Sequence, residues 1–144
     1  ERVLELYSGA GLFTVPLAEA VGPRGRVSAL EGARAAVEDA RANLSRHPQA
    51  RVEVARVDGR RVAAHRGAID VVVLDPPRSG AGGAVTAALL EKAPARIVYV
   101  ACDPAALARD LKALVGAYAV ETVQAFDLFP STHHMEMVVG LVRR

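Results

Sequence analysis

Cys102 is the only cysteine in the chain. It stands between an apolar run, Arg96 to Ala101, and a segment of helical spacing, Ala105 to Leu114. Asp103 fits a helix N-cap and Pro104 the first helical position. Cys102 therefore occupies the junction of a strand's carboxyl end with a helix's amino end. Unpaired N–H groups there favour an anion, so the nucleophilic thiolate is easier to form. The competing reading is a cysteine that is simply packed, the commoner fate of a lone thiol.

Other residues carry compatible chemistry. Gly9 and Gly11 bracket Ala10 in a tight loop that lets the backbone approach a ligand closely. Glu31 follows Gly11 by 20 residues, at the end of the next strand, where a carboxylate accepts from ribose hydroxyls. The third glycine of the dinucleotide fingerprint is missing, because Gly11 is followed by Leu12, Phe13 and Thr14. A nucleoside without a pyrophosphate is the expected ligand. Asp58 precedes Gly59 and reads either as an acceptor for an adenine amino group or as an ordinary Asp-Gly turn. In Asp75-Pro76-Pro77-Arg78 two prolines fix the backbone beyond an apolar strand and hold Asp75 over the strand ends. Glu136 suits a general base if partly desolvated near a nucleophile; otherwise it is an exposed charge at a strand start. The pair His133-His134 admits a metal or a Cys–His hydrolase reading, but adjacent side chains point apart and no third orienting group is identifiable.

These groups need elements to position them. Strands are expected at Arg2–Tyr7, Arg26–Leu30, Arg51–Val57, Ala68–Leu74, Arg96–Ala101, Tyr118–Phe126 and Met135–Val142. Helices are expected at Leu12–Val21, Gly32–Arg46, Arg61–His65, Ala84–Lys92 and Ala105–Leu114, the second with apolar positions at Ala36, Val37, Ala40 and Leu44. The alternation predicts an α/β fold, a doubly wound and mostly parallel seven-stranded sheet. Only the last connection lacks a helix, and its loop of about eight residues is too short for a parallel crossover, so the last strand runs antiparallel to the sixth. Ligands of such sheets bind beyond the carboxyl ends of the strands. Gly9, Gly11, Glu31, Asp58, Asp75 and Cys102 all fall there, and the reversed last strand brings Glu136 to the same rim.

The 144 residues suffice for one domain with a real core. No apolar run reaches the length of a membrane span and no signal peptide is visible. A single cysteine forms no internal disulfide, so an intracellular, cytoplasmic location is expected. The net charge of +2 does not by itself demand a nucleic-acid partner. Of the 18 basic residues, however, only Lys92 and Lys112 are lysines. The rest are arginines, which suit phosphate recognition or reflect base composition. The chain opens at Glu1 directly in a strand, as expected of a piece of a longer protein.

Together the motifs resemble the S-adenosylmethionine-dependent RNA uracil-5 methyltransferases of the ribosomal and transfer RNA type. The resemblance runs along the whole chain, as that family's C-terminal catalytic domain. It rests on Leu6 to Thr14, on Asp75 to Gly80, on Val98 to Asp110, and on Phe129-Pro130 with His134-Met135-Glu136. It implies a Rossmann-like class I methyltransferase fold over 1–144, S-adenosylmethionine as cofactor, no metal, and an RNA substrate, 23S ribosomal RNA ahead of transfer RNA. It further implies Cys102 as nucleophile, Glu136 as base, and Tyr7, Glu31, Asp58 and Asp75 lining the pocket for cofactor and base. Leu12 stands where many members have a polar residue and is not carried over as a ligand.

The implied chemistry suits the residues. Uracil carbon 5 is a poor nucleophile until a thiolate adds to carbon 6; a base then removes the carbon 5 proton after methylation. One activated cysteine and one carboxylate suffice, and the target base must be unpaired or flipped. Two rivals remain. An amino-group methyltransferase would use the Asp75-Pro-Pro motif without a cysteine, though Arg78 stands where its aromatic stacking residue belongs. A non-catalytic nucleotide- or RNA-binding module would bury Cys102.

Overall fold

The computed structural model describes residues 1–128, 131–132 and 135–144. Twelve elements follow in chain order: β1 (Arg2–Leu6), α1 (Thr14–Val21), β2 (Arg26–Glu31), α2 (Arg34–Asn43), β3 (Ala50–Val54), α3 (Gly59–Ala63), β4 (Val71–Leu74), α4 (Gly83–Lys92), β5 (Arg96–Ala101), α5 (Pro104–Leu114), β6 (Tyr118–Phe126) and β7 (Glu136–Arg143). The strands form one sheet in the order β3-β2-β1-β4-β5-β7-β6. The first five are parallel, and β7 is antiparallel to both of its neighbours. The alternation and the reversed last strand are as the sequence predicts.

The order at one edge is not legible in the sequence. β7 enters between β5 and β6, leaving β6 on the outside. The side chains explain the exchange. Val139 and Leu141 of β7 are buried, whereas β6 is exposed beyond Ala119. The strand with apolar residues takes the interior place and the more polar one takes the edge.

Several element boundaries differ from those the pattern suggests, for local reasons. Residues 10–13 form turns rather than the start of α1. α3 begins earlier than expected, at Gly59, because Asp58 caps it: Asp58 Oδ1 accepts from the Arg61 N–H at 2.9 Å. β4 keeps only Val71–Leu74, with Asp70 before it paired to Arg2. Asp103 caps α5 as expected, accepting from the Ala106 N–H at 2.7 Å, with Pro104 in the first turn.

Two cores lie on opposite faces. Leu4, Leu6, Val72, Leu74, Ile97 and Tyr99 pack beneath α3, α4 and α5. Val3, Val27, Ala29, Val52 and Val73 pack beneath α1 and α2. Val37, Ala40 and Leu44 supply the buried stripe of α2, while Ala36 is only partly covered. No helix among the described residues is long and apolar enough to cross a membrane.

Candidate active site

The carboxyl ends of the parallel strands make one rim, the finishing rim, and each proposed site residue except Tyr7 and the glycines can be placed by the strand or helix it ends or begins. Glu31 closes β2, Asp58 caps α3, Asp75 follows β4, and Cys102 follows β5. The last pair of the β5–β7 ladder is Ala101 with Met137, so Glu136 lies opposite Cys102 in the continuing register. Cys102 is half-buried, and so is Glu136. Phe129, Pro130, His133 and His134 lie outside the described residues, and with them the metal and Cys–His hydrolase readings.

The loop after β1 is built around backbone conformations that side chains resist. Gly9 and Gly11 have φ of 53° and 89°. A Cβ on Gly9 would project into open space. Tyr7, at φ 64°, adopts the same left-handed region with a full side chain, a strain of order 1–2 kcal/mol that clusters at functional sites. Its backbone N–H donates to the Leu30 carbonyl at 2.9 Å. Burial raises its phenol's pKa, and the charges of Asp110 and Asp58 add to the effect.

Glu31 ties this loop to the next turn. Its Oε2 accepts from the Gly9 N–H at 2.9 Å and its Oε1 from the Ala33 N–H at 2.7 Å. Each carboxylate oxygen keeps a further lone pair for a ligand hydroxyl. Asp58 serves as the N-cap of α3 through Oδ1, which leaves Oδ2 outside that bond.

Asp75 is reached by water, yet the surrounding rim desolvates it enough to raise its pKa, and the negative Glu136 raises it further. Asp75, Cys102 and Glu136 therefore form one neighbourhood. Pro76, Pro77, Arg78, Tyr99 and Leu107 line a narrow crevice against Cys102.

Two residues of this region are absent from the expected site. Glu5 lies in the middle of β1, 1% exposed, and no donor reaches either oxygen in hydrogen-bond geometry. Burial pushes its pKa up to about 7; the nearby Thr14 hydroxyl opposes this and the charge of Asp75 adds to it. Ser8 Oγ and Thr14 Oγ1 are likewise buried without partners. Buried polar atoms are costly when unpaired. The signal for Glu5 was available: a charge in a central strand covered on both faces has no solvent to point to.

Asp110 is the second. It is 3% exposed, and its Oδ2 accepts from the Tyr99 hydroxyl at 2.6 Å, the Ala81 N–H at 2.7 Å and the Gly82 N–H at 3.2 Å. Helix α5 thereby holds the loop that descends from Asp75-Pro76-Pro77. A Cβ on Gly80 would lie 2.6 Å from the same oxygen, so the clasp closes only over a glycine. Burial and this bond keep Tyr99 protonated as the donor.

The family model described as tRNA (uracil-5-)-methyltransferase matches residues 60–144, the stretch that holds Asp75, Cys102, Asp110 and Glu136. The chain belongs to this family. A second model, protein-L-isoaspartate(D-aspartate) O-methyltransferase, matches residues 1–91 and ends before Cys102. An uncharacterized RNA methyltransferase of Streptomyces avermitilis is 46% identical over 142 residues, 98% of this chain and 33% of the relative. The 23S rRNA (uracil(1939)-C(5))-methyltransferase RlmD of Klebsiella pneumoniae is 40% identical over 149 residues, 100% of this chain and 33% of the relative. The crystal structure of the Pyrococcus abyssi tRNA (uracil-54, C5)-methyltransferase with S-adenosyl-L-homocysteine superposes with a TM-score of 0.82 at 35% identity, over 99% of this chain and 34% of that one. The chain spans about a third of the length of the curated relatives it matches. Chains at lower identity, such as TrmN of Thermus thermophilus at 22% and TM-score 0.76, share the Rossmann-like fold of S-adenosylmethionine-dependent methyltransferases.

Proposed function

We propose that this chain is the catalytic domain of an RNA uracil-5 methyltransferase that uses S-adenosylmethionine and acts through a covalent bond between Cys102 and carbon 6 of the uracil. The observation that carries the reading is the register that sets Glu136 opposite Cys102, on the same rim as the Gly9–Gly11 loop. S-adenosylmethionine, when bound, supplies an electrophilic methyl group on a sulfonium sulfur.

The chain's own residues do the rest. The loop from Tyr7 to Gly11 and the Glu31 carboxylate hold the nucleoside end of the cofactor, with Asp58 Oδ2 as acceptor for the adenine amino group. Glu5, Ser8 and Thr14 supply polar partners beneath the loop. Asp75, fixed by Pro76 and Pro77, borders the base pocket. Cys102 Sγ adds to uracil carbon 6, and the electron pair released to the ring makes carbon 5 the nucleophile toward the methyl group. Glu136 then accepts the carbon 5 proton, and the returning electron pair expels Sγ as thiolate. A base buried in a duplex does not reach this rim, so the target uridine is unpaired or flipped. Ribosomal RNA is the preferred substrate class, by similarity to the 23S rRNA enzymes.

The test is Glu136→Gln in the intact protein. Adduct formation needs Cys102, while resolution needs the proton removed. The variant should accumulate a slow-migrating protein–RNA band on a denaturing gel, with turnover lowered about 10²–10⁴-fold. RNA carrying 5-fluorouracil should give the same band with the unsubstituted protein. Rapid turnover without a band would assign the base to another group.

A further inference from the structure

The sheet has a second rim, where the parallel strands start and β7 ends. An arginine stands at or beside that end in five strands: Arg2, Arg26, Arg51, Arg96 and Arg143. Two of them face acids, Arg2 with Asp70 at 2.6 Å and Arg96 with Glu1 at 3.8 Å. Arg26, Arg51 and Arg66 are exposed and have no carboxylate within salt-bridge distance among the described residues. These three line one groove of about 440 Å³.

The groove follows from the short α3. That helix ends at Ala63, and the groove opens beside the first residues of β2 and β3. Ser28 and Arg51, neighbours in register, line its floor. The turn after α3, with His65 and Arg66, forms one wall. Burial, with the nearby charges of Lys92 and Arg61, lowers the His65 pKa, so at neutral pH it is a hydrogen-bonding group rather than another cation.

We propose that this groove binds the phosphate backbone of the RNA substrate at a place remote from the target uridine. The proposal rests on the RNA methyltransferase reading above. Arginine offers a planar fork of donors that matches phosphate oxygens two at a time. At the finishing rim Glu31, Asp58, Asp75 and Glu136 set carboxylates around the site, which weakens such an attraction there. Arg26, Arg51 and Arg66 concentrate positive charge in one groove of a chain whose net charge is only +2. The rims lie about 15 Å apart, the length of a five-residue strand, and face opposite ways. A folded RNA reaches both; a short single strand seated over Cys102 does not.

The experiment replaces Arg26, Arg51 and Arg66 with alanine in the intact protein. Binding of a folded ribosomal RNA fragment is measured between 50 and 200 mM salt beside methylation of a short uridine-containing oligonucleotide. The expected result is an affinity for the folded RNA lowered about ten-fold or more at low salt, with the slope of log affinity against log salt reduced by about 3. Methylation of the short oligonucleotide should be unchanged, and the triple lysine variant should restore most of the slope. An unaltered slope overturns the proposal, as does an equal loss on the short and the folded RNA. Should the triple variant melt early, each single alanine variant should reduce the slope by about 1, and no reduction in any of them overturns it. Absence of methyl transfer by the unsubstituted protein to either RNA would sink the enzymatic reading instead; the salt slope needs no turnover and judges the groove separately.

Discussion

The two rims of the sheet are made from the same strands and are organised in opposite ways. At the finishing rim several carboxylates are engaged before any ligand arrives. Glu31 spans two backbone N–H groups, Asp58 and Asp103 cap helices, and Asp110 clasps the loop below Asp75. At the starting rim Arg26, Arg51 and Arg66 extend from strands and a turn without a carboxylate partner. The difference matches two kinds of work. Bond making needs groups held within fractions of an ångström by their neighbours, whereas attraction of a polyanion needs charge that adapts to many phosphate positions. Helix direction reinforces the division, since N-termini meet the carboxylates at one rim and C-termini lie toward the cations at the other.

If the finishing rim alone carries the chemistry, Cys102→Ser should separate the two. Methyl transfer to RNA should fall by about 10⁴-fold or more, the scale for removing a covalent nucleophile, while affinity for folded RNA and the melting temperature stay nearly unchanged. Substantial activity in a well-folded variant would discard the covalent mechanism and favour the amino-group rival. A collapse in melting temperature would return Cys102 to the core.

The next effect lies just inside the finishing rim. The Glu5 pKa is raised from 4.5 to about 7 in the folded chain. Below pH 4.5 the carboxyl is protonated in both states and stability is unaffected. Between those values the unfolded chain releases the proton and the folded chain keeps it, so stability falls as pH rises, by up to about 3 kcal/mol. Glu5→Gln should flatten this slope and melt higher than the unsubstituted protein at pH 8. Parallel melting curves from pH 4 to 8 would show that Glu5 is solvated.

The smallest change sharpens the rim's cofactor side. Glu31→Ala removes a charged acceptor, worth about 1.5–3 kcal/mol, and frees the Gly9 N–H. Calorimetry with S-adenosylhomocysteine should show an affinity loss of about 10- to 100-fold, with binding of folded RNA intact. Equal affinity in both proteins would remove Glu31 from the cofactor site.

Much of the finishing rim was legible because strand ends and helix caps announce themselves locally. Asp103 and Pro104 mark the start of α5, and the turn residues beyond each strand mark where its side chains converge. What was not legible depends on neighbours in space. Periodicity identifies β6 and β7 as strands but says nothing of which lies inside. The pattern Arg2-Val3-Leu4-Glu5-Leu6 reads as an ordinary alternation until β2 and β4 flank it and α1 closes over it. Asp110 reads as a helix surface residue, and only the fold brings Tyr99 and the Ala81–Gly82 backbone to it. The groove at the starting rim exists because α3 stops early, and helix ends are the least certain feature of a sequence pattern.

The placement of β7 also sets a timetable. A chain leaves the ribosome with its earlier residues first, so β6 emerges before the strand that connects it to the sheet. Until β7 arrives, the native neighbour of β6 is missing and β5 stands as an open edge with Cys102 at its tip. Glu136, the first residue of β7, comes with the strand that closes that edge. The thiol and the carboxylate are therefore brought face to face by the same late event that completes the sheet, and a nascent chain has no assembled pair with which to react.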